Sequence, residues 1–119
     1  MTNKDKSFLY KVNGEEGDYR NGKIKAIAFY YGKKNQHRII AEECNELAKE
    51  ALKGIRNNFS NKSELTEEIA DVLIMINQVI ELNEIDRFEI YNIMDNKLER
   101  QIERIKEEIG AKNEAERKS

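Results

Sequence analysis

The stretch from Ser63 to Leu82 reads SELTEEIADVLIMINQVIEL. Leu65, Ile69, Val72, Leu73, Ile76, Val79 and Ile80 recur in it at intervals of three and four residues, the period of one face of a helix. Ser63 is of the type that caps a helix N-terminus, so the helix is predicted from Glu64 to about Leu82. From Val72 to Ile76 the residues are apolar all round. A helix with no polar face is covered on all sides, which makes this the central helix of an all-α fold.

Outward from it the pattern repeats. The preceding linker, Asn57 to Lys62 (NNFSNK), is rich in side chains that compete for backbone hydrogen bonds and favour loops. Before it, Ile39, Ile40, Leu47, Ala48, Ala51, Leu52 and Ile55 mark a long helix from about Asn35 to Asn57. Ile24, Ile27, Ala28 and Tyr31 mark a short one over Lys23 to Tyr31, with Gly32 as its stop. On the other side, Asp86 and Glu89 have capping-box spacing. The last helix follows from Arg87 to Ile109 through Phe88, Ile90, Ile93, Met94, Leu98, Ile102 and Ile105, and Gly110 is expected to end it. The expectation is a four-helix bundle of one short and three long helices over residues 23–110. A polar tail occupies 111–119. Residues 1–22, with Asn13-Gly14, Gly17 and Asn21-Gly22, read as a flexible arm or a small hairpin containing a short extended segment, Ser7 to Val12.

Composition narrows the function. The chain of 119 residues holds no proline, one cysteine and one histidine. One cysteine makes neither an internal disulfide nor a cysteine zinc site, so the expected compartment is the reducing cytoplasm. No stretch approaches the ~18 apolar residues of a membrane span, and the N-terminus lacks the form of a secretory signal. Twenty-one basic and 23 acidic residues leave a net charge of −2, with no field to draw in nucleic acid or acidic lipid. Only 39% of the residues are apolar. So small a core would be thin in a monomer, and a homodimer or homotetramer is expected.

Most acids lie among Lys and Arg at i,i+3 and i,i+4 spacing, as on a solvated helix face. Two pairs do not: Glu43 and Glu46, in Glu42-Glu43-Cys44-Asn45-Glu46-Leu47, and Glu68 and Asp71, in Glu67-Glu68-Ile69-Ala70-Asp71-Val72. Glu43 falls within the stripe Ile40–Glu43–Leu47, and Glu68 within Leu65–Glu68–Val72–Ile76. Burying a carboxylate costs several kcal/mol unless a partner compensates it. If the two helices pack along these stripes, up to four negative charges converge. A hard divalent cation, Mg²⁺ or Mn²⁺, would neutralise them. Such ions complete their shells with water and substrate phosphates, which suggests phosphate chemistry. The competing reading pairs these acids with Lys49, Lys53 or Arg38 on the surface. Cys44 reads as a packing residue.

The order Glu-Glu-x-x-Glu, linker, Glu-x-x-Asp resembles the MazG-like all-α nucleoside triphosphate pyrophosphohydrolases. Tyr31-Gly32-x-x-x-Gln36 is similar to the segment entering the second helix of small phage- and Firmicute-type members, and Lys97-Leu98-Glu99-Arg100 to the Lys-x-x-Arg of the last helix. The resemblance covers about Lys23 to Ile109. It implies hydrolysis of nucleoside or deoxynucleoside triphosphates between the α and β phosphates. It also implies Mg²⁺ on Glu43, Glu46, Glu68 and Asp71, and phosphate contacts from Lys97 and Arg100. Glu46 is then the expected general base, Glu42 a residue that orients water, and Gln36 a possible contact to the base of the nucleotide. A di-iron carboxylate bundle needs Glu-x-x-His words, and the single His37 has Lys34 three residues before it. A non-catalytic helical interaction module, with its acids exposed, is the remaining alternative.

Overall fold

The computed structural model describes residues 1–13 and 19–119, without the side chains of residues 10–13 and 19. The described residues form five helices and no strand: α1 (Asn3–Asn13), α2 (Tyr19–Tyr31), α3 (Lys33–Arg56), α4 (Lys62–Leu82) and α5 (Arg87–Lys118). They divide into two compact units, Met1–Ile85 and Asp86–Ser119.

In the first unit α3 and α4 make a helical hairpin. Three contacts fix its antiparallel register. Gln36 near the start of α3 bonds to Gln78 near the end of α4, with 2.6 Å between Nε2 and Oε1. Glu43 lies against Glu68 and Asp71 midway. At the closed end, Asn61 Nδ2 donates to the backbone oxygen of Glu50 at 2.8 Å and to its carboxylate at 2.7 Å. The side of α3 turned to α4 is Gln36, Ile40, Glu43, Leu47, Glu50 and Gly54, each buried or half-buried. Gly54 suits this approach, since a Cβ there would lie 3.0 Å from the side-chain oxygen of Asn61, which would have to shift.

The hairpin turn is a Schellman closure, in which an orphan carbonyl of the last turn is capped from beyond the helix. Phe59 N donates to Gly54 O at 2.7 Å, and Asn58 takes the left-handed conformation at φ 53°. The end of α4 repeats the device. Ile85 N reaches Ile80 O at 3.0 Å, with Glu84 left-handed at φ 52°. Helix α2 packs across α4 and touches α3, and Lys25 pairs with Glu81 at 3.6 Å. Among the described residues, the buried apolar ones are Ile24, Ala26, Ala28, Val72, Met75 and Ile80. Between α2 and α3 the chain turns at Gly32, φ 89° and ψ 167°, a region open essentially to glycine alone.

Several expectations are corrected. The region read as an arm or hairpin carries a helix, α1, and Ser7 belongs to it rather than to an extended segment. The cause is a capping box: Asp5 N donates to Thr2 Oγ1 at 3.0 Å, and Thr2 N donates to Asp5 Oδ2 at 3.3 Å. Phe8 of α1 meets Tyr30 with 5.2 Å between ring centroids, and Lys4 Nζ sits 4.8 Å over the same ring. Gly14 and Gly17 lie outside the described residues. Gly22 lies inside α2, which starts at Tyr19. Helix α4 starts at Lys62, after Asn61 rather than Ser63.

Helix α4 is central to the first unit, packed by α2 and α3. Its all-apolar segment is only partly covered there: Val72 and Met75 are buried, while Leu73 is 53% exposed. In the second unit α5 begins as expected, with Asp86 Oδ1 accepting from Phe88 N at 2.9 Å. It does not stop at Gly110. A glycine inside a helix costs about 1 kcal/mol. The strong helix formers beyond it offset that, aided by Glu114 pairing with Arg117 at 2.8 Å and with Lys118 at 3.6 Å. No residue of α5 is buried.

Candidate metal centre

The antiparallel register sets the first acid word on α3 beside the second on α4. Glu43, Glu68 and Asp71 each bring one carboxylate oxygen into a group whose members all lie within 4.8 Å of one another. Glu43 and Glu68 are half-buried, and Asp71 is at the exposed rim. Two ligand oxygens on opposite sides of Mg²⁺ are about 4.2 Å apart, so the group needs little movement to close on an ion.

The electrostatics of Glu68 report the crowding. Desolvation raises its pKa above the ordinary 4.5, and the charges of Glu43, Asp71 and Glu46 raise it further, as does a hydrogen bond with Glu43. Its Oε2 is shielded from solvent and has no hydrogen-bond partner. A shielded carboxylate oxygen without a donor, facing two other carboxylates, is a poor arrangement for an isolated protein and a good one for a cation. All the ligand atoms are carboxylate oxygens, which fits a hard ion such as Mg²⁺ or Mn²⁺.

The other expected residues fare differently. Glu46 is near enough for its charge to act on Glu68, but it is not in the group of three. Its Oε1 instead accepts from Lys49 Nζ at 3.1 Å on the exposed side of α3, so the surface-pair reading holds for this one acid. Glu42 is exposed one position further round α3 and is not in the group. Gln36 is 4% exposed, and its Nε2 donates to Oε1 of Gln78, itself 1% exposed. Gln78 was not singled out from the sequence, and a lone Gln on an apolar helix is the signal that a buried partner exists.

Cys44 is exposed rather than packed. His37, also exposed, has its Nε2 2.8 Å from Asn83 Nδ2, which makes that nitrogen the acceptor. Lys97 and Arg100 are exposed on α5, one turn apart. They belong to the second unit.

The sequence model of the MazG nucleotide pyrophosphohydrolase domain matches residues 32–110. This chain belongs to the MazG family. The match takes in α3, α4 and most of α5, and with them the three carboxylates, Glu46, Lys97 and Arg100. Helices α1 and α2 precede it. No curated protein and no solved structure matches the chain. Among the described residues, no helix is long and apolar enough to cross a membrane.

Proposed function

We propose that this MazG-family chain is a divalent-cation-dependent pyrophosphohydrolase. It would cleave nucleoside or deoxynucleoside triphosphates between the α and β phosphates, giving the monophosphate and pyrophosphate, as in housecleaning of a nucleotide pool. The observation that carries this reading is the convergence of Glu43, Glu68 and Asp71, with the shielded, unpartnered Oε2 of Glu68 among them. These three side chains would hold Mg²⁺, with Mn²⁺ as substitute, and Glu46 would join them on leaving Lys49. Held by these residues, such an ion would supply positive charge to the phosphates and make the α-phosphorus a better electrophile.

The chain's own groups supply the rest. Glu46 sits one turn from Glu43 on a solvent-accessible surface, where a carboxylate can take the proton of an attacking water. Glu42, exposed beside it, would orient that water. Lys97 and Arg100 would bind the departing pyrophosphate with charge-assisted hydrogen bonds. No covalent nucleophile is needed. The catalytic region is taken as residues 23–110, working in the cytoplasm as a homodimer or homotetramer. Self-association would cover apolar side chains such as Leu52, Ile55 and Leu73, which are exposed in the single chain.

The test is incubation with a panel of NTPs and dNTPs and Mg²⁺, with product analysis. Monophosphate plus pyrophosphate is expected. No turnover of any triphosphate with either Mg²⁺ or Mn²⁺ sinks the reading and leaves a helical interaction module.

A further inference from the structure

Helix α5 is 32 residues long, about 48 Å at 1.5 Å per residue, and none of it is buried. Leu98, Ile102, Ile105 and Ile109 follow one another at spacings of four, three and four, and all are between 44% and 53% exposed. That alternation is a heptad seam. Continued in both directions, the same two seam positions are filled by Phe88, Tyr91, Asp95, Lys112 and Glu116. The seam therefore runs about four heptads, with six of its nine positions apolar and an unbroken apolar run from Leu98 to Ile109. Its apolar centre is bracketed by an acid on one side, Asp95, and a base on the other, Lys112.

We infer that α5 pairs with α5 of a second copy as an antiparallel two-stranded coiled coil centred between Glu103 and Arg104. This rests on the homo-oligomer reading above and specifies its interface. One register pairs the seam charges Asp95 and Lys112 with each other and sets the third, Glu116, opposite the partner's Tyr91. With Ile102 opposite the partner's Ile105, Leu98 falls opposite the partner's Ile109, and Asp95 opposite the partner's Lys112. On the flanks, Glu99 meets the partner's Lys106, and Met94 meets the partner's Ala115. The two-fold axis repeats each pair, so four opposite-charge contacts enclose the apolar centre.

The alternatives are penalised by the same residues. A parallel pair sets Asp95 against Asp95 and Lys112 against Lys112. Sliding the antiparallel pair by one heptad sets Glu99 against Glu99 in one direction, or Ile102 against Lys112 in the other. Polar residues at seam positions select register and orientation in this way. Lys97 and Arg100 lie on the side of the helix away from the seam, so pairing leaves both exposed.

The experiment is sedimentation of the full chain over a range of concentrations, with circular dichroism to confirm that each variant stays helical. Glu99→Lys and Lys106→Glu each replace two attractions by two repulsions, and each should weaken dimerisation about tenfold or more. Combining the two should restore it, because the pairs are rebuilt with the signs exchanged. Disulfide trapping gives a second readout in a Cys44→Ser background, since Cys44 is exposed. The double variant Leu98→Cys/Ile109→Cys should form a covalent dimer on oxidation. Either cysteine alone should not, because residues 98 and 98 of the two copies would be about 16 Å apart, beyond disulfide reach.

A chain that is monomeric at every concentration overturns both the seam and the oligomer. A dimer indifferent to the charge reversals, or trapped by the single cysteines, overturns the antiparallel seam alone.

Discussion

The two acid words have the same spacing and different fates. On α4, Glu68 and Asp71 both turn toward α3 and both enter the carboxylate group. On α3, Glu43 enters it, while Glu46 lies on the exposed side, bonded to Lys49 at 3.1 Å. An i,i+3 pair spans about 60° less than a full turn, so two such residues share a face only loosely. Which member points inward depends on the neighbour available to the other. Glu46 has a lysine three residues on. Asp71, three residues before Ile74 and four before Met75, has no basic residue within a turn of its own helix. Spacing nominates ligands, and local competition decides which of them the fold presents before any ion arrives.

The most severe way to break this contrast is to neutralise one acid of each word. Asp71→Asn should lower turnover by more than about a hundredfold, as loss of a metal ligand exceeds the 10–100-fold cost of losing a group behind it. It should leave the stability of the metal-free protein unchanged or higher, because a repulsive charge goes. Glu46→Gln should lower kcat by roughly 10²–10⁴-fold, the usual contribution of a general base, while changing the affinity for Mn²⁺ far less than Asp71→Asn does. Titration of metal into each variant, alongside steady-state kinetics, makes the distinction. Equal losses of metal affinity in both would show that the exposed position of Glu46 is irrelevant to its role. A steep fall in metal-free stability for Asp71→Asn would mark a structural ion pair instead.

The contrast also depends on register, and Asn61 holds it. Removing its amide in Asn61→Ala deletes both bonds to the half-buried Glu50, at a cost of about 1–3 kcal/mol. The denaturation midpoint should fall accordingly, and Mn²⁺ should bind more weakly although no ligand has been touched. Unaltered metal affinity in a destabilised protein would show that α3 and α4 keep their alignment without this clamp.

What could be read in advance follows the range of the interaction. The α3 and α4 stripes were legible because a 3.6-residue period is local, and the placing of Glu43 and Glu68 on them follows directly. Cys44, expected to pack, is exposed on the same helix: one residue from Glu43 is a rotation of 100°, which carries it off the stripe. α1 was signalled by Thr2 and Asp5, but the glycines and Asn-Gly pairs that follow argued more loudly for turns. Gly110 has the form of a stop, yet α5 continues for eight residues beyond it, and a glycine's cost of about 1 kcal/mol is outweighed by such a run. The bond between Gln36 and Gln78 joins residues 42 apart. Nothing local announces it.

Gln36 therefore provides a milder test, at the opposite end of the hairpin from Asn61. Gln36→Met keeps the volume of the side chain and removes its amide, leaving Gln78 buried with an unpaired group. A loss of about 1–3 kcal/mol is expected, toward the lower end if water reaches the vacated partner. Relative kcat/KM values across the four bases should not change, because the side chain contacts Gln78 rather than substrate. A selective change for one base with stability intact would return Gln36 to the ligand-binding role.

The smallest effect concerns protons. The folded chain raises the pKa of Glu68 above 4.5, chiefly through desolvation and then through Glu43 and Asp71. In the pH window between the unfolded value and that raised value, the native state binds more protons than the unfolded state. Stability then falls as pH rises through this window, the reverse of the usual behaviour of a paired carboxylate. Other acids contribute slopes of their own, so the informative quantity is the difference between the wild type and Glu68→Gln in chelator. That difference should grow in favour of the variant from pH 4.5 upward and level off above the raised pKa. Saturating Mg²⁺ should reverse it, because the ion takes the carboxylate form and only the wild type offers all three ligands. Equal pH dependence of the two proteins without metal would mean that the crowding of Glu68 is relieved in solution, and that α4 turns its acids outward as α3 turns Glu46.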